Sequence, residues 1–355
     1  MRRFRLILTV TTSAALVASM GAALLASAQS NTRRSAASAA SPTPTPPVIK
    51  EEDEVLRVET ELVNLNVRVI DRNNRPVNGI PQREFKVYED NVLQDIEFFS
   101  VSEVPTQYGL VIDNSGSLRR QLEKVIEASK ILVNSNKSFD ETLVIRFVSR
   151  DKISIEQNFT ANKEYVIDAL DNLYIEGGQT AVIDAIYLAA EKVADYNKEK
   201  DKDERRRRAL ILITDGEDRD SYYSEAQLFE MLRETDVQIY TIGFVSELSK
   251  DSGLISKSPQ AKARALLQRL ATETGGKAYF PNSVAELDGI AKEIGAELRT
   301  QYSIGYQPTN DRKDGTYRNI RVVVDDGPAK QKRIAITKAG RIAEADEPTP
   351  SRSNP

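Results

Sequence analysis

Two apolar runs in this chain each stop abruptly at an aspartate. Leu110 to Ile112 runs into Asp113, and Ala209 to Thr214, ALILIT, runs into Asp215. A continuous apolar run of this kind is the pattern of a parallel strand covered on both faces. Such strands alternate with helices, and ligands bind beyond their carboxyl ends where the strand order reverses. Two strand-ending carboxylates meet there only if their strands are neighbours. The pattern therefore predicts a doubly wound, mostly parallel α/β sheet with a site at its carboxyl edge.

The residues after the first run supply more oxygen. The stretch YGLVIDNSGS carries Asp113, Ser115 and Ser117 at alternate positions, with Gly116 freeing the backbone between the serines. Between the two runs, Gly177-Gly178-Gln179-Thr180 presents a hydroxyl on a glycine turn just before a helical pattern. Hard oxygens on tight loops suit Mg²⁺, which prefers octahedral oxygen ligation with one or two carboxylates. Each residue also has a plainer role open to it. Ser115 or Ser117 could cap the following helix, Thr180 could cap the helix from Ala181, and Asp215-Gly216 could be a simple turn. Those roles leave unexplained why two buried strands both end in Asp.

The set Asp113, Ser115, Ser117, Thr180 and Asp215, in that order, resembles the metal-ion-dependent adhesion site of von Willebrand factor type A (vWA) domains. The family motif is D-x-S-x-S, then Thr, then Asp, and all five positions match. The resemblance implies that Ser115 and Ser117 bind the metal directly. It implies that Asp113, Thr180 and Asp215 bind directly or through water. The implied cofactor is Mg²⁺, with Mn²⁺ or Ca²⁺ as substitutes. The implied partner is a protein that presents an Asp or Glu carboxylate to an open coordination position. At the scale of the chain, QDIEFFS, VIDNSGS, LITDGED, YSIGYQP and DGTYRNIRV are similar to bacterial secreted vWA-related proteins common in Acidobacteria.

Composition removes other chemistries. None of the 355 residues is Cys or His. That excludes disulfides, thiolate or imidazole metal sites, and Ser-His-Asp catalysis. No activating Lys stands beside Ser115 or Ser117, so a metal-assisted hydrolase using Asp113 is the weaker reading and no enzyme is expected. A net charge of −4 gives no reason to expect nucleic acid as a partner. The rim DGEDRD misses EF-hand spacing, and Gly177-Gly178 lacks the Lys of a phosphate loop. Asp184 is expected to make a structural hydrogen bond. A third reading is an envelope protein whose metal only stabilises the fold.

The flanks have a different pattern. Arg2, Arg3 and Arg5, an apolar stretch, and Ala26-Ser27-Ala28 read as a secretory signal over 1–28, so a secreted or envelope location is expected, with a retained membrane anchor as the alternative. A Pro- and Ser-rich linker follows over 29–57. Leu62 to Ile70 alternates apolar and polar residues, Phe85 to Tyr88 and Ile96 to Val101 read as strands, and so do Tyr302 to Tyr306, Ile320 to Val324 and Arg333 to Thr337. Asp314-Gly315 is read as a hairpin turn between the 302 and 320 strands. Neither flank is large enough for its own core. They are therefore expected to pair, 58–104 with 301–340, into one small β-sandwich into which the α/β domain, 105–300, is inserted. Residues 341–355 are expected to be a disordered tail. The run Lys198 to Arg208, KEKDKDERRRR, is read as a solvated loop at the sheet end opposite the site.

Overall fold

The computed structural model describes residues 62–101, 104–196, 206–251 and 257–345. The expected signal and linker, 1–57, and most of the charged run lie outside these residues. The first flank gives β1 (Val63–Asp71), β2 (Phe85–Glu89), β3 (Val92–Gln94) and β4 (Ile96–Ser100). Strands β2 and β3 are joined by Asp90 and Asn91, both at positive φ, which is the two-residue turn that matches strand twist.

The α/β domain follows. Its elements are β5 (Thr106–Asp113), α1 (Leu122–Asn134), β6 (Glu141–Phe147), β7 (Ile153–Thr160), α2 (Lys163–Asp171) and α3 (Val182–Tyr196). They continue with β8 (Arg207–Thr214), α4 (Glu225–Glu234), β9 (Val237–Gly243), α5 (Pro259–Thr274), β10 (Ala278–Tyr279) and α6 (Leu287–Arg299). The six strands lie in the order β10-β9-β8-β5-β6-β7, parallel except for the antiparallel edge strand β7. The alternate residues of β5 face opposite layers. Leu110 and Ile112 pack with α1 and α6, and Val111 packs with α3, α4 and α5. Both faces are covered, which is why β5 reads as an unbroken apolar run. The order reverses between β5 and β8, which pair directly.

The chain returns through β11 (Tyr302–Tyr306), β12 (Tyr317–Val324), β13 (Arg333–Ile336) and β14 (Gly340–Ile342). The two flanks interleave in two antiparallel sheets, β13-β1-β11-β4 and β14-β12-β2-β3. Val63, Leu65, Val67 and Val69 face Phe85, Val87, Ile320, Val322 and Val324 in a common core. Phe85 meets the Tyr302 ring at 4.9 Å.

Three expectations are corrected. Strands β11 and β12 are not a hairpin. They belong to different sheets, and Asp314 instead bridges to Ala345 while binding Arg318. The final segment is not a free tail from 341, because Gly340–Ile342 pairs with β12 and Arg341 binds buried Glu89 at 2.9 Å. The charged run is not wholly solvated. Arg207 begins β8 and is fully buried, with its guanidinium donating to the carbonyls of Leu298 and Gln301, both at 2.7 Å. Its backbone N–H donates to Pro105 O. One residue thus ties the segment that leads into the α/β domain to the segment that leads out.

Candidate metal centre

Because β5 and β8 are parallel neighbours, their last residues arrive side by side. Asp113 ends β5 and is fully buried. Asp215 follows the end of β8 and is 5% exposed. Ser115, Ser117, Thr180 and Asp215 line one open cleft of about 380 Å³, and Asp113 lies beneath them. The structure therefore brings all five predicted residues to one place.

The local backbone explains how. Asp113 Oδ1 accepts the Ser115 N–H at 2.9 Å, which turns the chain at the strand end. Asn114 anchors that turn: its N–H donates to Phe147 O, its amide donates to Tyr174 O, and its carbonyl accepts from Glu176 N. The serine hydroxyls lie 2.9 Å apart, and both residues line the cleft. Neither caps the short 3₁₀ turn Gly116–Leu118 with its side chain. The glycine turn is held close, since a Cβ on Gly178 would meet Val148 Cγ1 at 2.7 Å. Thr180 is fixed through its carbonyl, which accepts from Arg219 N and Asp220 N. Among the described residues its hydroxyl has no protein partner. Gly216 adopts φ +79°, and Glu217 N donates to Asp215 Oδ1 at 3.0 Å.

Sequence reasoning missed Thr214. Its hydroxyl donates to Asp113 Oδ2 at 2.6 Å and accepts from Gly216 N at 3.0 Å, joining the two aspartate loops. A hydroxyl at the end of an otherwise aliphatic strand was the available signal. It also passed over the rim pair Arg219–Glu217, 2.6 Å apart. Asp184 has the structural role expected of it, accepting the N–H groups of Tyr222 and Tyr223 at 2.8 and 2.9 Å.

The electrostatics are unbalanced. Burial pushes the Asp113 carboxyl up to about 6, and the charge of Asp215 adds to the rise, against the lowering hydrogen bonds from Ser115 and Thr214. Neither aspartate forms an ion pair among the described residues, and Arg219 is held by Glu217. No group of three or more His, Cys, Asp or Glu side chains is placed to hold a metal ion among the described residues, so any centre here must use hydroxyls. The donor set meets that condition. Two carboxylates and three hydroxyls converge, and the Thr180 hydroxyl is unpartnered within the described protein. Such a set fits a hard divalent cation that keeps some of its water.

A doubly wound sheet with this loop constellation at its switch point defines a class of ligand-binding α/β domain. A family model of the von Willebrand factor type A domain matches residues 109–293, more than half of the chain, and the chain belongs to that family. Domains of this family are general protein-interaction modules. An uncharacterized Synechocystis protein, sll0103, is 30% identical over 150 residues, which is 42% of this chain and 34% of that protein. The chain thus spans about a third of the length of this relative. Among solved structures, BatB from Bacteroides thetaiotaomicron is 21% identical with a TM-score of 0.40, covering 54% of this chain and 98% of that one. A von Willebrand factor type A protein from Catenulispora acidiphila is 12% identical with a TM-score of 0.44, covering 80% and 75%.

Proposed function

We propose that this chain is a metal-dependent protein-binding module acting outside the cytoplasm. Its ligands for one Mg²⁺, with Mn²⁺ or Ca²⁺ as substitutes, are Asp113, Ser115, Ser117, Thr180 and Asp215. The bound cation supplies an electrophilic centre for an Asp or Glu carboxylate of the partner. The observation that carries this reading is the pair of buried aspartates without a basic partner, set under three hydroxyls in an open cleft. The residues divide the work. Asp113 and Thr214 lock the β5 and β8 loops together, so the ligands are preorganised. Ser115, Ser117 and Thr180 contribute neutral donors, which leave more positive charge on the cation than further carboxylates would.

No turnover of peptide, ester or phosphoester substrates is proposed, because the chain has no His or Cys to activate a nucleophile. A purely stabilising cation is the second reading, favoured by the depth of Asp113. Calorimetry with Mg²⁺ and capture of partners from a cell-envelope extract, with and without EDTA, test both. The proposal expects metal binding that Asp113→Ala abolishes and a partner released by EDTA from a still folded protein. Metal binding with an indifferent partner supports the stabilising reading. Absence of metal binding overturns both.

A further inference from the structure

A second cleft of about 280 Å³ lies between α3 and α4, lined by Tyr187, Tyr223, Gln227, Glu230, Met231 and Glu234. Tyr187 and Tyr223 stack face to face at 3.9 Å with 5° between their planes. Tyr222 meets Tyr223 edge-on at 5.3 Å and is 75% exposed. The tyrosine segment is rigid, because the N–H groups of Tyr222 and Tyr223 are both held by Asp184.

The charged residues that line the cleft are both acidic, Glu230 and Glu234. Glu230 and Glu234 are one helical turn apart on α4, an arrangement that destabilises a helix through like-charge repulsion. Glu191, one turn beyond Tyr187 on α3, helps raise the Tyr223 hydroxyl above its ordinary range, after burial and Tyr187. Among the described residues none of these three carboxylates forms an ion pair, whereas Glu225 on the same helix α4 binds Arg269. Elsewhere the chain sets its own cations over its aromatic rings. Arg269 covers Phe229 at 3.7 Å, Arg264 covers Phe280 at 4.0 Å and Arg321 covers Tyr88 at 4.2 Å. No described cation covers Tyr187, Tyr222 or Tyr223.

We infer that this cleft is a separate recognition site for a cationic side chain of a protein partner, arginine in preference to lysine. Ring faces carry negative potential and attract a cation, most strongly when carboxylates stand beside them. A planar guanidinium can stack on a tyrosine and reach Glu230 or Glu234 with its forked donors, whereas an ammonium can sit over the ring but has neither the plane to stack nor the fork. The site is independent of the metal centre. Both nonetheless sit at α3, Thr180 just before its first turn and Tyr187 about 10 Å further along at 1.5 Å per residue. A partner with an acidic and a basic residue at that spacing could engage both.

The test uses the whole protein in EDTA, so that failure of the metal proposal leaves it unaffected. The probe is a Gly-Arg-Gly-Arg-Gly-amide peptide with fluorescein on its N-terminal amine, followed by anisotropy, beside its lysine and citrulline twins. The arginine peptide is expected to bind best, the lysine peptide more weakly and the citrulline peptide not at all. Tyr222→Ala, which changes no charge and removes an exposed ring, is expected to weaken binding roughly three- to five-fold. Glu230→Gln with Glu234→Gln is expected to weaken it about ten-fold, while removing two charges from α2 with Glu164→Gln and Asp168→Asn changes it less than about two-fold. Equal binding of the citrulline peptide, an unaffected Tyr222→Ala protein, or an equal loss in the α2 control would each overturn the inference. If Tyr222→Ala proves misfolded by circular dichroism, Tyr222→Leu takes its place under the same criteria.

Discussion

Replacing Asp113 by Asn should stabilise the protein when no metal is bound and cripple its response when metal is added. In the metal-free fold the Asp113 carboxyl is raised from 3.8 to about 6, chiefly by burial. A rise of about two units is worth roughly 3 kcal/mol, at 1.36 kcal/mol per unit. The folded carboxyl holds its proton more tightly than the unfolded one. Its contribution to stability is therefore fully present below about pH 4 and is lost as pH rises through about 6. At pH 7.5 the metal-free wild type carries that whole cost. The asparagine side chain would carry no charge, and its carbonyl could still accept from Ser115 N. Its amide nitrogen could not accept the Thr214 hydroxyl, which costs about 1 kcal/mol. The variant should therefore exceed the wild type by about 2 kcal/mol in EDTA at pH 7.5, a rise in Tm of about 4–8 °C. At pH 4 it should fall slightly below the wild type. Mg²⁺ at a hundred times its Kd should stabilise the wild type by about 2.7 kcal/mol and the variant hardly at all. Scanning calorimetry at the two pH values, with EDTA and with Mg²⁺, reads all four quantities. A variant less stable than wild type in EDTA at pH 7.5, or one that gains as much from Mg²⁺, would refute the reasoning.

Other perturbations probe separate parts of the molecule. Ser115→Ala should remove the Mg²⁺-dependent gain in Tm and lower the metal-free Tm by only about 2–4 °C, since the Ser115 hydroxyl bonds Ser117 and helps hold the Asp113 carboxylate. Arg68→Ala should cost about 3 kcal/mol in urea unfolding, because it removes the buried partner from β1 that lies 3.0 Å from Glu297 on α6 and leaves only the longer contact to Lys277 at 3.8 Å. Glu297 is already raised by burial, and without Arg68 it should rise further, so the loss should be largest at high pH and smaller in acid. Gly276→Ala should destabilise strongly in the same assay, since a Cβ there would lie 2.0 Å from Ile239 O. Mass spectrometry of the exported protein should find its first residue at Gln29, and retention of Met1 to Ala28 would favour a tethered form.

The residues alone determined the α/β class, because burial on both faces of a strand leaves an unbroken apolar run at Leu110–Ile112 and Ala209–Thr214. They also marked the five polar residues that the fold gathers at one sheet edge and the alternating strand β1, since oxygen-bearing side chains at strand ends and period-two alternation are visible in each stretch by itself. Partner choice was another matter. Nothing in Tyr302–Tyr306 or Tyr317–Val324 states that the two strands join different sheets, because each alternates in the same way and pairs across more than 200 residues. The burial of Arg207 was hidden for a similar reason. An arginine in a charged run looks solvated until the carbonyls of Leu298 and Gln301 close around it. Only the neighbouring of β5 and β8 let Thr214 bond Asp113, and only the packing of α3 against α4 stacked Tyr187 on Tyr223. A sequence records how each residue meets its own stretch of backbone and solvent, and long-range pairing is set by which surfaces complement each other once the chain is closed.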